Sequence, residues 1–159
     1  MLPFEDFLHV VANAPLISID LIVENQRGEV LFGLRRNEPA AGFWFVPGGR
    51  ILKNERLDQA FLRIGRNELG VEIARQRAEL LGVYEHFYET NAGNQPGFGT
   101  HYVVLAYRLC VDAGMLRLPT GEQHEQYRWQ GPAQAQSDVT IHPYSRAYLI
   151  TAGPQPTPA

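Results

Sequence analysis

Lysine occurs once in this chain, at Lys53, and cysteine once, at Cys110. A lone cysteine cannot form an intrachain disulfide or a multi-cysteine metal site. Its place in the apolar stretch from Tyr102 to Val111 predicts a buried structural thiol. Basic blocks are absent too, and 14 Lys and Arg against 17 Asp and Glu leave a formal charge of −3. A nonspecific nucleic-acid binder needs a basic face, so this balance argues against one. No apolar run approaches the roughly 18 residues of a membrane span. The stretch Met1-Leu2-Pro3-Phe4-Glu5-Asp6 carries no basic region ahead of an apolar segment, so no signal peptide is expected. A cytoplasmic protein is the expectation.

The 159 residues, 45% hydrophobic and 19% charged, amount to one globular domain. We place it at 1–152, with Gly153-Pro154-Gln155-Pro156-Thr157-Pro158-Ala159 as an extended tail. Thirteen arginines against a single lysine favour the side chain whose planar fork grips phosphate, although high genomic GC content gives the same bias.

Phe4, Phe7, Leu8 and Val11 recur at helical spacing behind Pro3, predicting a helix over 3–12. Leu16 to Glu24 reads as a strand with Ile17, Ile19, Leu21 and Val23 on one face and Ser18, Asp20 and Ile22 on the other. Asn25-Gln26-Arg27-Gly28 turns the chain into a returning strand from Glu29 to Leu34, and Phe43-Trp44-Phe45-Val46 forms a short strand stopped by Pro47-Gly48-Gly49. A helix follows, with Asn54 as N-cap, Glu55 and Asp58 as favourable charges at its start, the stripe Leu57, Ala60, Phe61 and Ile64, and Gly70 as its stop. Strands are predicted from Leu80 to Tyr88 and from His101 to Val111, and a short one near Tyr127-Arg128-Trp129. A turn of helix begins at Pro132, and a last helix spans Pro143 to Thr151. Strands on both sides of a capped helix, with helices near both ends, indicate an α+β fold of α/β/α sandwich type.

Glu68 continues the edge of the apolar stripe of its helix, four residues after Ile64. A carboxylate there is exposed by a frayed end, paired with a base, or used as a ligand. Arg63, about 140° around the helix from Glu68, is not its obvious partner.

The run of Gly49, five residues, Glu55, seven residues, Arg63, then Glu68, Gly70 and Val71 resembles the Nudix box. In that family a loop–helix–loop presents carboxylates and backbone oxygen to Mg²⁺ on a diphosphate, within an α/β/α sandwich built on a mixed sheet. Ile64 and Asn67 stand where the family usually has acidic residues. The chain is similar over nearly its whole length to a subfamily with that same depletion, the GDP-mannose mannosyl hydrolases. The resemblance rests on Ser18-Ile19-Asp20, Ile22-Val23-Glu24-Asn25, Trp44-Phe45-Val46-Pro47-Gly48-Gly49-Arg50, Ala60-Phe61 and Glu68-Leu69-Gly70. Further on it rests on His86-Phe87-Tyr88, Thr100-His101-Tyr102-Val103-Val104-Leu105, Glu122-Gln123-His124, Tyr127-Arg128-Trp129 and Ser145-Arg146-Ala147-Tyr148.

The resemblance implies hydrolysis of GDP-mannose, or of GDP-glucose, to GDP and free sugar, by water attack at the anomeric carbon with inversion. One Mg²⁺ per site, or Mn²⁺ in its place, is expected on the Glu68 carboxylate, the Gly48 carbonyl and Gln123, an all-oxygen set of the kind Mg²⁺ takes. His124 is expected to deprotonate the water; as a bare residue, without the resemblance, it reads as a solvated loop histidine. Arg35, Arg50 and Arg63 match positions facing the nucleotide or leaving diphosphate, where a fork stabilises growing charge. Arg63 also reads as a structural helix residue. Asp20 would orient a sugar hydroxyl, or be a buried, hydrogen-bonded carboxylate. His86, Tyr88 and Tyr102 match positions near the sugar and diphosphate, although strand aromatics commonly serve the core. Phe7 and Leu2 match positions that hold guanine, where stacking is apt. The subfamily is dimeric with exchanged N-terminal segments, so a homodimer is expected. Two other readings stand: a conventional Nudix pyrophosphohydrolase attacking phosphorus, and an inactive nucleotide-binding module.

Overall fold

In the computed structural model, residues 2–120 and 124–150 are described. The chain runs α1 (Phe4–Asn13), β1 (Leu16–Glu24), β2 (Val30–Arg35), β3 (Trp44–Phe45), β4 (Gly48–Arg50) and α2 (Leu57–Leu69). It continues through β5 (Glu79–Tyr88), β6 (Thr100–Cys110), β7 (His124–Gln130), α3 (Pro132–Ser137) and α4 (Pro143–Ile150). The proposed tail and Thr151 lie outside the described residues.

The strands form one mixed sheet in the order β3-β2-β1-β6-β5, with β4 added to β1 and β7 to β2. β1 runs parallel to β6 from Leu16 beside Tyr102 to Glu24 beside Cys110. The other pairings are antiparallel.

The two faces of β1 divide as the alternation predicts. Ile19, Leu21 and Val23 pack with Ala60, Phe61, Ile64 and Leu69 of α2. Ile22 faces the other way, into a second cluster holding Phe32, Ala106, Ala135 and Tyr148, under α3 and α4. Helices therefore cover the sheet from both sides, which is the expected sandwich. Ile17 departs from its face: it is 51% exposed, because the α2 layer does not reach that end of the strand.

Three local expectations are corrected. Asn54 is not the N-cap of α2; it sits at φ 66° in a loop, and the helix starts at Leu57 with the Arg56 N–H donating to Gln59 Oε1. Glu55 precedes the helix, where its carboxylate accepts from the Leu52 N–H and pairs with Arg63. Pro47-Gly48-Gly49 does follow the end of β3, but the chain does not stop there: Gly48–Arg50 forms β4 against Ser18–Asp20. Cys110 is exposed, because β6 runs on past Arg108, where its pairing with β5 begins, and ends beside Glu24. Gly70 does stop α2, in the left-handed conformation a C-terminal cap requires.

Candidate active site

A cavity of about 260 Å³ opens where the sheet strands meet α1. Its lining includes Asp20 from β1, Arg35 from β2, and Gly48 and Arg50 from β4. His86 and Tyr88 of β5, Tyr102 of β6 and His124 of β7 complete the far wall, with Phe7 supplied by α1. Sheet register explains the gathering. Asp20 lies opposite Gly48, His86 opposite Tyr102, and Arg35 opposite His124. Side chains fixed by a hydrogen-bonded ladder are held more rigidly than side chains on loops.

Leu2, Arg63 and Glu68 are not among the lining residues. Leu2 is exposed. Arg63 is engaged elsewhere: its Nε and Nη2 reach the two Glu55 carboxylate oxygens at 2.7 and 2.8 Å, and Nη2 also donates to the Arg50 carbonyl at 2.7 Å. It thus ties the loop before α2 to the backbone that carries Arg50. The mutual pairing raises the Arg63 pKa and lowers that of Glu55. Gln123 falls outside the described residues.

His124 is not a solvated loop histidine. It opens β7, is 2% exposed, and lies with Nδ1 3.5 Å from Glu68 Oε2 and 3.3 Å from the Tyr127 hydroxyl. Tyr127 donates its hydrogen to the Pro119 carbonyl at 2.9 Å, so its oxygen can only accept from the imidazole. A carboxylate likewise accepts only. These partners assign the ring proton to Nδ1 and leave Nε2 as the basic nitrogen. Burial, with Arg35 nearby, lowers the His124 pKa to about 4, so the ring is neutral at pH 7. The ring is seated against Gly33, where any Cβ would overlap the imidazole.

On the opposite wall, Asp20 Oδ2 accepts from the Tyr148 hydroxyl at 2.7 Å, and that hydroxyl lies 3.1 Å from His86 Nε2. Burial raises the Asp20 pKa to about 6, against the lowering effect of Tyr148 and Arg35. Burial, with His142 nearby, lowers His86 to about 4. Tyr88 and Tyr102 are raised, chiefly by burial. Two arginines face the space between these walls. The Arg50 guanidinium lies 4.0 Å from the centre of the Phe7 ring, and Arg35 lies 5.9 Å from that of Phe45. A neutral imidazole, a buried carboxylate and two forked cations suit an anionic ligand carrying a polar, uncharged part.

Among the described residues, no three His, Cys, Asp or Glu side chains gather to hold a metal ion. Ile64 explains part of this: it is buried in the α2 core, where the general box carries an acid. One buried carboxylate, Glu68 at 4% exposure, and the Gly48 carbonyl are oxygen donors of the hard type. Such a set fits a cation whose remaining positions are filled by ligand oxygens and water.

The NUDIX domain model matches residues 14–150. The chain belongs to the NUDIX family. It is 39% identical over 150 residues to the low-salt glycan biosynthesis protein Agl8 of Haloferax volcanii, covering 93% of this chain and 88% of that one. Among solved structures, the MutT NUDIX hydrolase of Burkholderia pseudomallei superposes with a TM-score of 0.70 at 26% identity, covering 88% and 99% of the two chains. The NUDIX domain of Shewanella oneidensis NrtR, solved with ADP ribose, superposes at 0.65 and 18% identity over 95% and 97%, a likeness of fold. NUDIX hydrolases generally use a divalent metal such as Mg²⁺.

Sequence reasoning assigned no role to Gly33, Tyr127 or Tyr148, each of which touches a site histidine or Asp20. Gly33 carried a signal, since glycine inside an apolar strand marks a close approach. The two tyrosines carried none, because an aromatic in a strand or helix looks like core until its hydroxyl is located.

Proposed function

We propose that this NUDIX hydrolase cleaves a GDP-hexose, GDP-mannose or GDP-glucose, at the sugar carbon, releasing GDP and the sugar with inverted configuration. The observation that carries the reading is the His124–Glu68 pair: a neutral, buried imidazole at the cavity, its Nδ1 facing a carboxylate and its Nε2 without a partner among the described residues. That is the state of a base awaiting a proton from water. Kinship to a protein named for glycan biosynthesis supports a sugar-containing substrate.

In this mechanism His124 Nε2 takes a proton from water as its oxygen bonds to the anomeric carbon. The carbon–oxygen bond to the diphosphate breaks, and its electron pair leaves on GDP. Attack on the face opposite the leaving group gives inversion, as for a two-group inverting glycosidase. Arg50 and Arg35 hold the diphosphate while its negative charge grows. Asp20 orients a sugar hydroxyl, with His86, Tyr88 and Tyr102 around it, and Phe7 offers a stacking face to the base. Mg²⁺ would be held by Glu68, the Gly48 carbonyl and Gln123, and when bound it neutralises diphosphate charge. Arg63 contributes through Arg50, whose carbonyl it holds. The reading carries with it a homodimer exchanging α1, which a sedimentation-equilibrium mass of a single chain would overturn.

Turnover in ¹⁸O-water tests the chemistry: label is expected in the sugar. Label on phosphate, with GMP and a sugar phosphate as products, overturns it in favour of a pyrophosphohydrolase. No turnover across a nucleotide-sugar panel, with Mg²⁺-dependent binding retained, would mean a binding module.

A further inference from the structure

In the second carboxylate–tyrosine–imidazole set, on the wall facing α4, Tyr148 has no role in the proposed reaction, yet it touches both Asp20 and His86. Tyr148 belongs to α4, is fully buried, and has one hydroxyl hydrogen to give. Its shorter contact, 2.7 Å, is to the Asp20 carboxylate, which has nothing to donate when ionised. The hydrogen therefore goes to Asp20. The phenol oxygen is then left facing His86 Nε2 at 3.1 Å with lone pairs only, so a hydrogen bond there needs the proton on Nε2.

The plane of the ring is held in place by its neighbours. Tyr144 stacks on His86 with centroids 4.1 Å apart and planes within 4°. Tyr144 is in turn anchored to the neighbouring residue of β5, donating its hydroxyl to the Phe87 carbonyl at 2.8 Å and accepting from the Phe87 N–H at 2.9 Å. Phe45 and Tyr88 close on the ring edge-on, at 6.1 and 6.2 Å.

We propose that Tyr148 is a positioning residue of the site: its hydroxyl fixes His86 as the Nε2–H tautomer, leaving Nδ1 to accept a hydrogen bond from a substrate hydroxyl. The choice of ligand group follows from chemistry. A diphosphate oxygen only accepts and would face the lone pair of Nδ1, whereas a sugar hydroxyl can donate to it. His86 thereby belongs to the sugar end of the cavity. The tautomer stands on geometry alone, and only the identity of the hydroxyl donor rests on the proposed function.

The experiment uses the full-length protein. Long-range ¹H–¹⁵N correlation spectra of the histidine rings at pH 7.5 are compared for the wild type and Tyr148→Phe, with kcat and KM for GDP-mannose and inhibition by GDP measured in parallel. His86 is expected as Nε2–H in the wild type, and as Nδ1–H or a mixture in the variant. Loss of the bond to a charged partner is expected to lower kcat/KM about tenfold, while the GDP inhibition constant stays within about twofold. A wild-type Nδ1–H pattern overturns the proposal, and so does an unchanged pattern in the variant. An inhibition constant that rises in step with the activity loss removes the assignment of His86 to the sugar. If the variant does not fold, the wild-type spectrum decides by itself. If no GDP-hexose is turned over, the functional reading fails while the spectra still judge the tautomer.

Discussion

Two sets of the same three groups flank one cavity: Glu68, Tyr127 and His124 on one side, Asp20, Tyr148 and His86 on the other. In the first, carboxylate and phenol both approach Nδ1 of the imidazole, and the phenol hydrogen is spent on the Pro119 carbonyl. In the second, the phenol stands between carboxylate and imidazole and meets Nε2. Both imidazoles are pushed by burial to about 4, yet their neighbours assign them opposite tautomers. The pair teaches that burial decides whether a histidine is neutral, while the identity of its hydrogen-bond partner decides which nitrogen is available.

Replacing each histidine in turn gives the largest expected contrast. His124→Gln should lower kcat by about 10²–10⁴-fold, the usual contribution of a general base, with the GDP inhibition constant nearly unchanged. His86→Gln should cost about tenfold and act largely through KM, the size of one hydrogen bond to substrate. Equal losses in kcat would mean that the two sets are not functionally distinct.

Gly33→Ala sharpens the comparison on the His124 side alone. The added methyl overlaps the imidazole, so the ring must move. A loss of about 10²-fold in kcat is expected, since misplacement of a catalytic group by about 1 Å is that costly. The His86 spectrum should not change.

Stability against pH separates the carboxylates from the imidazoles. The folded Asp20 pKa, about 6, lies above its unfolded value of 3.8, so the ionised group opposes folding by about 3 kcal/mol above pH 6. This penalty disappears as pH falls through 6 towards 4. Asp20→Asn should therefore be more stable than the wild type at pH 8, with the gain vanishing near pH 4 in urea titrations. His86, His124 and His142 are all depressed to about 4 from 6.5. Their contribution is fully present above pH 6.5 and is lost as pH falls towards 4. Three imidazoles oppose one carboxyl over that window, so the wild type should lose stability on acidification, and Asp20→Asn should lose it more steeply.

Arg63→Ala acts on the segment that carries Arg50. Removing a partly buried, bidentate ion pair that also holds the Arg50 carbonyl should cost about 1–3 kcal/mol in chemical denaturation and raise KM. Cys110→Ser is the smallest expected effect. The thiol is exposed at a strand end, so stability should change by less than about 0.5 kcal/mol, and activity not at all.

The fold was largely legible in the chain because its signals are local. Alternation along 16–24 separated the two faces of β1, and Gly70 ended α2 where expected. The start of α2 was misread because Asn54 and Glu55 have the composition of a cap, while the Glu55–Arg63 pairing, two turns apart, goes with a loop at that segment. Cys110 was misread because an apolar strand does not reveal where its neighbour stops pairing.

Most residues expected at the site line one cavity, although Leu2, Arg63 and Glu68 do not, and those expectations came mostly through likeness of motif. The arrangement of the site was not legible. Arg63 differs from Arg35 and Arg50 only in what surrounds it, and no spacing rule announces that its guanidinium is engaged by Glu55 and a carbonyl.

By itself the sequence determined the order of strands and helices apart from β4, the sparse acidity of the box, and the identity of most groups able to do chemistry, because periodicity and residue type are properties of short stretches. Only the tertiary structure decided which carboxylate meets which imidazole, and through which nitrogen. Asp20 and Tyr148 are 128 positions apart, and a contact across that distance exists only once the sheet has closed and α4 has packed on it.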